Sequence, residues 1–183
     1  MDLAERCRAI ELLLTDVDGV LTDGRIIYTE RGDEIKEFFV RDGSGLKQWV
    51  KLGKKSGIVT GRKSDLVRRR AAELDMAVCI QGCDDKRLAV EKVLKEMGLR
   101  PEQAAFVGDD FVDLGAMDLC GLAIAPSDAS ADAIAAADLV TQAAGGRGAV
   151  REAIELILRH QGVWANVIEK HRRGGGQDPA IVP

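Results

Sequence analysis

The chain has 183 residues, 46% of them apolar, with 26 Lys or Arg against 30 Asp or Glu and a formal net charge of −4. That length predicts one domain over 1–183 with a full hydrophobic core, and the apolar content excludes disorder as a description of the whole. The mildly acidic balance argues against nucleic acid or an anionic membrane as a partner.

No run approaches the roughly 18 apolar residues of a membrane span, and Met1 to Ile10 lacks the basic start and apolar stretch of a signal peptide. Cys7, Cys79, Cys83 and Cys120 form no ligand pattern with His160 and His171, so neither a zinc site nor a disulfide framework is expected. Reduced thiols in a cytoplasm are the simple reading.

In chain order, Leu12 to Val17 reads as a buried strand that ends in acid. Arg25 to Glu30 and Glu34 to Val40 flank Arg31-Gly32-Asp33 and predict an inserted β-hairpin over 25–40. Leu46, Trp49 and Val50 mark a helix that Gly53 stops. Ser56 to Thr60 is the next strand, and Ser64 caps a helix from Asp65 to Leu74. A strand over Ala77 to Ile80 precedes a helix marked by Leu88, Ala89, Val93, Leu94 and Met97 and ended by Gly98. Strands at Ala104 to Gly108, Leu122 to Ala125 and Leu139 to Thr141 follow. Val150, Ile154, Ile157 and Leu158 give a last helical stripe. Continuous apolar strands alternating with helices predict an α/β fold, a Rossmann-like parallel sheet covered on both faces. The Gly- and Pro-rich end, 172–183, is expected to be a flexible tail.

Two strand ends carry paired carboxylates: Asp16-Val17-Asp18-Gly19, and Gly108-Asp109-Asp110 followed by Asp113. Ligands of open α/β sheets bind at the carboxyl ends of the strands. Carboxylates gathered there repel one another unless a cation joins them, and oxygen donors suit Mg²⁺. Solvated turns, or an acidic helix start, are the alternatives. Thr60-Gly61-Arg62 and Lys86 add a hydroxyl, backbone amides and cations of the kind that hold a phosphoryl group. Together these residues can support attack of one Asp on phosphorus, with a second Asp moving the protons.

These motifs in this order resemble the haloacid dehalogenase superfamily of phosphatases, from about Leu12 to Gln161. The resemblance implies Asp16 as nucleophile and Asp18 as general acid/base. It implies Thr60 and Lys86 as the phosphoryl-holding residues. It places Mg²⁺ on the Asp16 carboxylate, the Asp18 carbonyl and Asp109, with Asp110 and Asp113 in support. No large cap fits, because only about 40 residues separate Asp18 from Thr60 and about 25 separate Thr60 from Lys86.

Val40-Arg41-Asp42-Gly43, Thr60-Gly61-Arg62-Lys63 and Gly145 to Glu152 narrow the likeness to 3-deoxy-D-manno-octulosonate 8-phosphate phosphatases. That likeness implies a cytoplasmic homotetramer acting in lipopolysaccharide precursor synthesis. Its hairpins associate, and a neighbouring subunit closes each site; a hairpin packed on its own domain is the alternative. The implied substrate contacts are Phe39, Val40, Arg41, Asp42, Gly43, Lys47, Gly61, Arg62, Arg70 and Lys86. Phe39 stands where a polar residue is expected and Lys47 where an Arg is. Arg68, Arg69 and Arg70 can equally form a solvated helix face. Three rivals compete. A phosphatase of a nine-carbon sugar acid phosphate is disfavoured by Arg62, where an acid is expected. A receiver domain lacks a second acid two residues past its acceptor. A non-catalytic tetramerisation module needs a second domain.

Overall fold

A computed structural model describes residues 2–174. Six parallel strands form one sheet in the order β5-β4-β1-β6-β7-β8. They are β1 (Leu12–Thr15), β4 (Lys55–Thr60), β5 (Val78–Gln81), β6 (Ala104–Val107), β7 (Leu122–Ala125) and β8 (Leu139–Val140). The helices are α1 (Leu3–Ala9), α2 (Val40–Lys51), α3 (Asp65–Glu73), α4 (Lys86–Met97), α5 (Leu114–Leu119), α6 (Ala131–Ala136), α7 (Ala149–His160) and α8 (Trp164–Arg172).

The apolar strand runs exist because both faces of the sheet are buried. Side chains alternate faces along a strand. Leu13, Ile58, Ala105, Val107, Leu122 and Ile124 therefore join one core with α1, α2, α7 and α8. Leu12, Leu14, Val59, Phe106 and Ala123 join the other with α4, α5 and α6. Each core excludes water from a full layer, which is the main favourable term in such a fold.

Central strand β1 pairs with β4 on one side and β6 on the other, Thr15 lying opposite Ile58 and Val107. The chain first moves outward to β5 and then returns across β1 to β6, so the strand order reverses beside β1. Crevices form at such reversals. Asp16 prolongs the ladder by one bond, its N–H donating to Val107 O at 3.0 Å.

The hairpin is shorter than its sequence suggests. Only β2 (Ile27–Tyr28) and β3 (Glu34–Ile35) pair, antiparallel, across a turn held by the Thr29 hydroxyl. Val40 is the first residue of α2 and not the end of a strand. Beyond Ile35 no second strand continues the ladder; Phe38 packs against the core instead. Of the segment expected as a tail, Arg172 is the last residue of α8, and 175–183 lie outside the described residues. Among the described residues, no helix is long and apolar enough to cross a membrane.

The Gly145 to Gly148 segment is a loop that enters α7. A Cβ on Gly145 would lie 1.8 Å from Gly19 O, so only glycine lets this loop lie against the turn after Asp18. Gly146 N–H donates to Val20 O at 2.9 Å, fastening the two loops together.

Candidate active site

The sheet brings Asp16, Thr60, Lys86, Asp109 and Asp113 to one edge. Asp16 follows β1, Thr60 ends β4, Asp109 follows β6, and Lys86 opens α4. Asp85 caps α4 by accepting from Leu88 N–H at 2.9 Å, which sets Lys86 as the first helical residue. The Lys86 ammonium is buried between two carboxylates, 2.8 Å from Asp16 Oδ2 and 2.6 Å from Asp113 Oδ1. Burial works against its charge, but Asp16 and Asp113 outweigh that and hold its pKa above the ordinary value.

Asp16, Asp109 and Asp113 each bring an oxygen within 4.8 Å of the others. One buried cation does not balance three such carboxylates. Burial, followed by the charges of Asp113 and Asp16, pushes the Asp109 pKa up to about 7. Asp113 is raised as well, by burial first and then by Asp16, against the pull of Lys86.

The oxygens divide into satisfied and open. Asp113 Oδ1 holds Lys86 and Oδ2 accepts the N–H groups of Asp109 and Asp110 at 3.0 and 3.3 Å. Asp110 caps the short turn after β6, accepting from Phe111 N–H at 2.8 Å. Asp16 Oδ1 and Asp109 Oδ1 are buried without a hydrogen-bond partner. Buried acceptors are normally paired. Two orphaned carboxylate oxygens facing an acidic group are what a hard divalent cation requires. Gly19 completes the cradle. Its φ is +89°, and a Cβ there would lie 2.0 Å from Asp109 Oδ2.

Mg²⁺ is expected to stabilise the fold through these oxygens. At a concentration about 100 times its Kd it should add about 2.7 kcal/mol and raise the melting temperature by roughly 5–10 °C. Asp109→Asn should flatten that response. Thermal melts with Mg²⁺ and with EDTA check both expectations.

Asp18 stands apart from this group. Its carboxylate ion-pairs with Lys36 and lies 3.5 Å from Arg62 Nε. Arg62 is also tied to the hairpin, 2.9 Å from Glu34 Oε1. Neither Lys36 nor Glu34 emerges from sequence reasoning as a site residue. The signal was present: two charges separated by Ile35 must share one face of a strand.

The ten expected substrate contacts do not form one cluster within a single chain. Lys86 and Gly61-Arg62 are at the carboxylate edge. Val40, Gly43, Lys47 and Arg70 line a groove of about 440 Å³ beside α2, together with Arg151 and Trp164. Phe39 borders a smaller hollow with Asp23 and Arg147, and the Arg41 guanidinium lies over the Phe39 ring. Five consecutive residues at a helix start fan out about 100° apart and cannot all face one ligand.

Asp42 is held within the chain by the start of α7. It is 1% exposed and accepts Arg151 N–H at 2.7 Å, serving the first turn of α7. Burial pushes its pKa up to about 6. The arginine run divides: Arg68 and Arg69 are solvated and pair with Asp65 and Glu73, while Arg70 is more buried, pairs with Glu73 at 3.3 Å and sets its guanidinium over the Phe38 ring. Lys47 pairs with Asp75 at 3.4 Å.

Comparison with known proteins places the chain in a family. A model of haloacid dehalogenase-like hydrolases matches residues 82–154. The 3-deoxy-D-manno-octulosonate 8-phosphate phosphatase of Escherichia coli (strain K12) is 43% identical over 161 residues, spanning 88% of this chain and 86% of that protein. The chain belongs to that family of haloacid dehalogenase-like hydrolases. It is a phosphatase.

Two solved relatives share its fold. One is the 3-deoxy-D-manno-octulosonate 8-phosphate phosphatase of Moraxella catarrhalis, in complex with magnesium ion, phosphate ion and a KDO molecule. It has a TM-score of 0.90 at 40% identity, over 92% of this chain and 97% of that one. The other is the cobalt-bound phosphatase of Haemophilus influenzae, with a TM-score of 0.84 at 39% identity over 87% and 94%. The phosphatase described here places a fitting acidic cradle at the end of β1.

Proposed function

We propose that this phosphatase hydrolyses 3-deoxy-D-manno-octulosonate 8-phosphate with Mg²⁺ as cofactor and Asp16 as phosphoryl acceptor. The observation that carries the reading is the pair of orphaned oxygens on Asp16 and Asp109 beside the buried Lys86. The relatives' substrate and the Moraxella ligands support the choice of sugar acid.

Asp16 and Asp109 would hold the metal, with the Asp18 carbonyl as a third donor. Bound there, Mg²⁺ supplies positive charge against the carboxylates and the phosphate dianion. Asp16 attacks phosphorus, and the bond to the ester oxygen breaks as an aspartyl phosphate forms. Asp18 gives its proton to the leaving oxygen. Asp18 then takes a proton from water as that water attacks phosphorus, which frees phosphate and restores Asp16. Thr60 and Lys86 donate to the phosphoryl oxygens, where charge spreads in the transition state.

The assembly is a cytoplasmic homotetramer in this reading, its product feeding lipopolysaccharide precursor synthesis. Ile26, Ile27, Tyr28 and Ile35 leave an apolar surface exposed on the hairpin, suited to burial between subunits. A neighbouring subunit would then bring further basic groups, such as Arg70 or Lys47, toward the sugar carboxylate.

Phosphate release with Mg²⁺ tests the reading on a panel of 3-deoxy-D-manno-octulosonate 8-phosphate, a nonulosonate 9-phosphate and ordinary sugar phosphates, with EDTA as control. The eight-carbon acid should exceed every other ester in kcat/KM by at least about tenfold. A lead for the nine-carbon acid would overturn the substrate and keep the chemistry.

A further inference from the structure

The hairpin does more than expose an apolar face. Side chains alternate along β3 and the residue after it, so Glu34 and Lys36 share the face opposite Ile35. That face meets the active-site edge. The Lys36 side chain is 2% exposed, with its ammonium on Asp18 and Glu34 Oε1 3.7 Å away. Arg62 closes the group, bonding the same Glu34 oxygen at 2.9 Å and lying 3.5 Å from Asp18 Oδ2. Each Asp18 oxygen thus faces a different cation, Oδ1 toward Lys36 and Oδ2 toward Arg62.

A buried ammonium is costly unless it is paired, so Lys36 is committed to this contact. Asp18 in turn makes no contact with Lys86, whose partners are Asp16 and Asp113. The turn after Asp16 is stiff, because the N–H groups of Val20, Leu21 and Thr22 all donate to Val17 O. That bonding fixes the backbone and leaves the Asp18 side chain to be aimed by its cations.

We propose that Lys36 is a positioning residue that aims the Asp18 carboxylate, so that seating of the hairpin and proton transfer at the leaving group are one event. The proton transferred is the one on Asp18, and Lys36 takes no part in the transfer itself. The proposal rests on the reading of Asp18 as general acid/base.

The test compares Lys36→Met and Lys36→Arg with the parent enzyme in Mg²⁺, on the sugar acid phosphate and on p-nitrophenyl phosphate. The aryl leaving group needs little protonation, so kcat/KM on that ester is insensitive to a misplaced acid. Lys36→Met should lose about 10–100-fold in kcat/KM on the alkyl ester, mainly through kcat, and less than about threefold on the aryl ester. Lys36→Arg should recover most of the loss. In an Asp18→Asn background, Lys36→Met should add no more than about twofold, the non-additivity of residues acting as one unit.

Equal losses on both esters, full additivity with Asp18→Asn, or a change confined to KM for the sugar acid would each overturn the positioning role. Unchanged alkyl-ester turnover in Asp18→Asn alone would instead overturn the acid/base reading of Asp18, whatever Lys36 does. Circular dichroism monitors folding, and Lys36→Gln carries the same comparison where the Met variant does not fold.

Discussion

Asp16→Asn should abolish phosphate release while the fold survives. A carboxamide of the same shape keeps the packing at the end of β1, where Asp16 N–H bonds Val107 O at 3.0 Å. It removes the proposed nucleophile, the carboxylate that follows β1 and keeps one oxygen buried without a partner. Asp109 presents an orphaned oxygen too, but it extends from β6 and is the expected metal holder. Loss of a nucleophile costs at least about 10⁴-fold in kcat. Lys86 keeps its 2.6 Å contact with Asp113, so the buried ammonium is still paired. Circular dichroism and a thermal melt should match the parent closely, while a phosphate-release assay falls to background. Measurable turnover in a homogeneous Asp16→Asn preparation would take the nucleophile role from Asp16.

Lys86→Met should lose stability as well as activity. Among the described residues, the ammonium is the one cation within hydrogen-bond distance of both Asp16 and Asp113. Removing one partner from a buried ionic group typically costs about 3–5 kcal/mol, because the remaining charges stay uncompensated. The sign with pH follows from the carboxyls that remain. Burial and mutual repulsion raise Asp109 and Asp113 above their ordinary values. An acid whose folded pKa is raised loses stability as pH climbs from its unfolded value, near 4, through the folded one. Without Lys86 those folded values rise further. The Lys86→Met penalty should therefore be larger at pH 8 than at pH 5. Urea denaturation at the two pH values checks this. An equal penalty at both would mean that Lys86 contributes packing rather than charge.

The strands were legible because their physics is local to the strand. Leu12-Leu13-Leu14 is apolar at every position since both sheet faces are covered, and that pattern needs no knowledge of the partner. Carboxylates at the ends of β1 and β6 could be read as one site because parallel strands deliver their carboxyl ends to one edge. The short helices α5 and α6, six residues each, carry too few turns for a periodic stripe. The end of the hairpin was misread because Phe39 and Val40 have strand propensity, and tertiary packing of α2 overrides it. Asp42 was assigned to the substrate because it sits in a motif. Within this chain it accepts Arg151 N–H, 109 positions away and invisible to spacing. Lys36 was missed for the opposite reason. It lies between two glutamates in a polar stretch that reads as solvated until Asp18 is seen beside it.

The most direct measurement is to trap the covalent intermediate. Turnover with Mg²⁺ would be quenched in acid during steady state, reduced with borohydride and mapped by peptide mass spectrometry. An aspartyl phosphate reduced in this way leaves homoserine, and the account predicts it at position 16 alone, dependent on substrate. Full turnover with label at position 18 or 109, or with water oxygen entering phosphate and no acyl phosphate at any carboxylate, would contradict it.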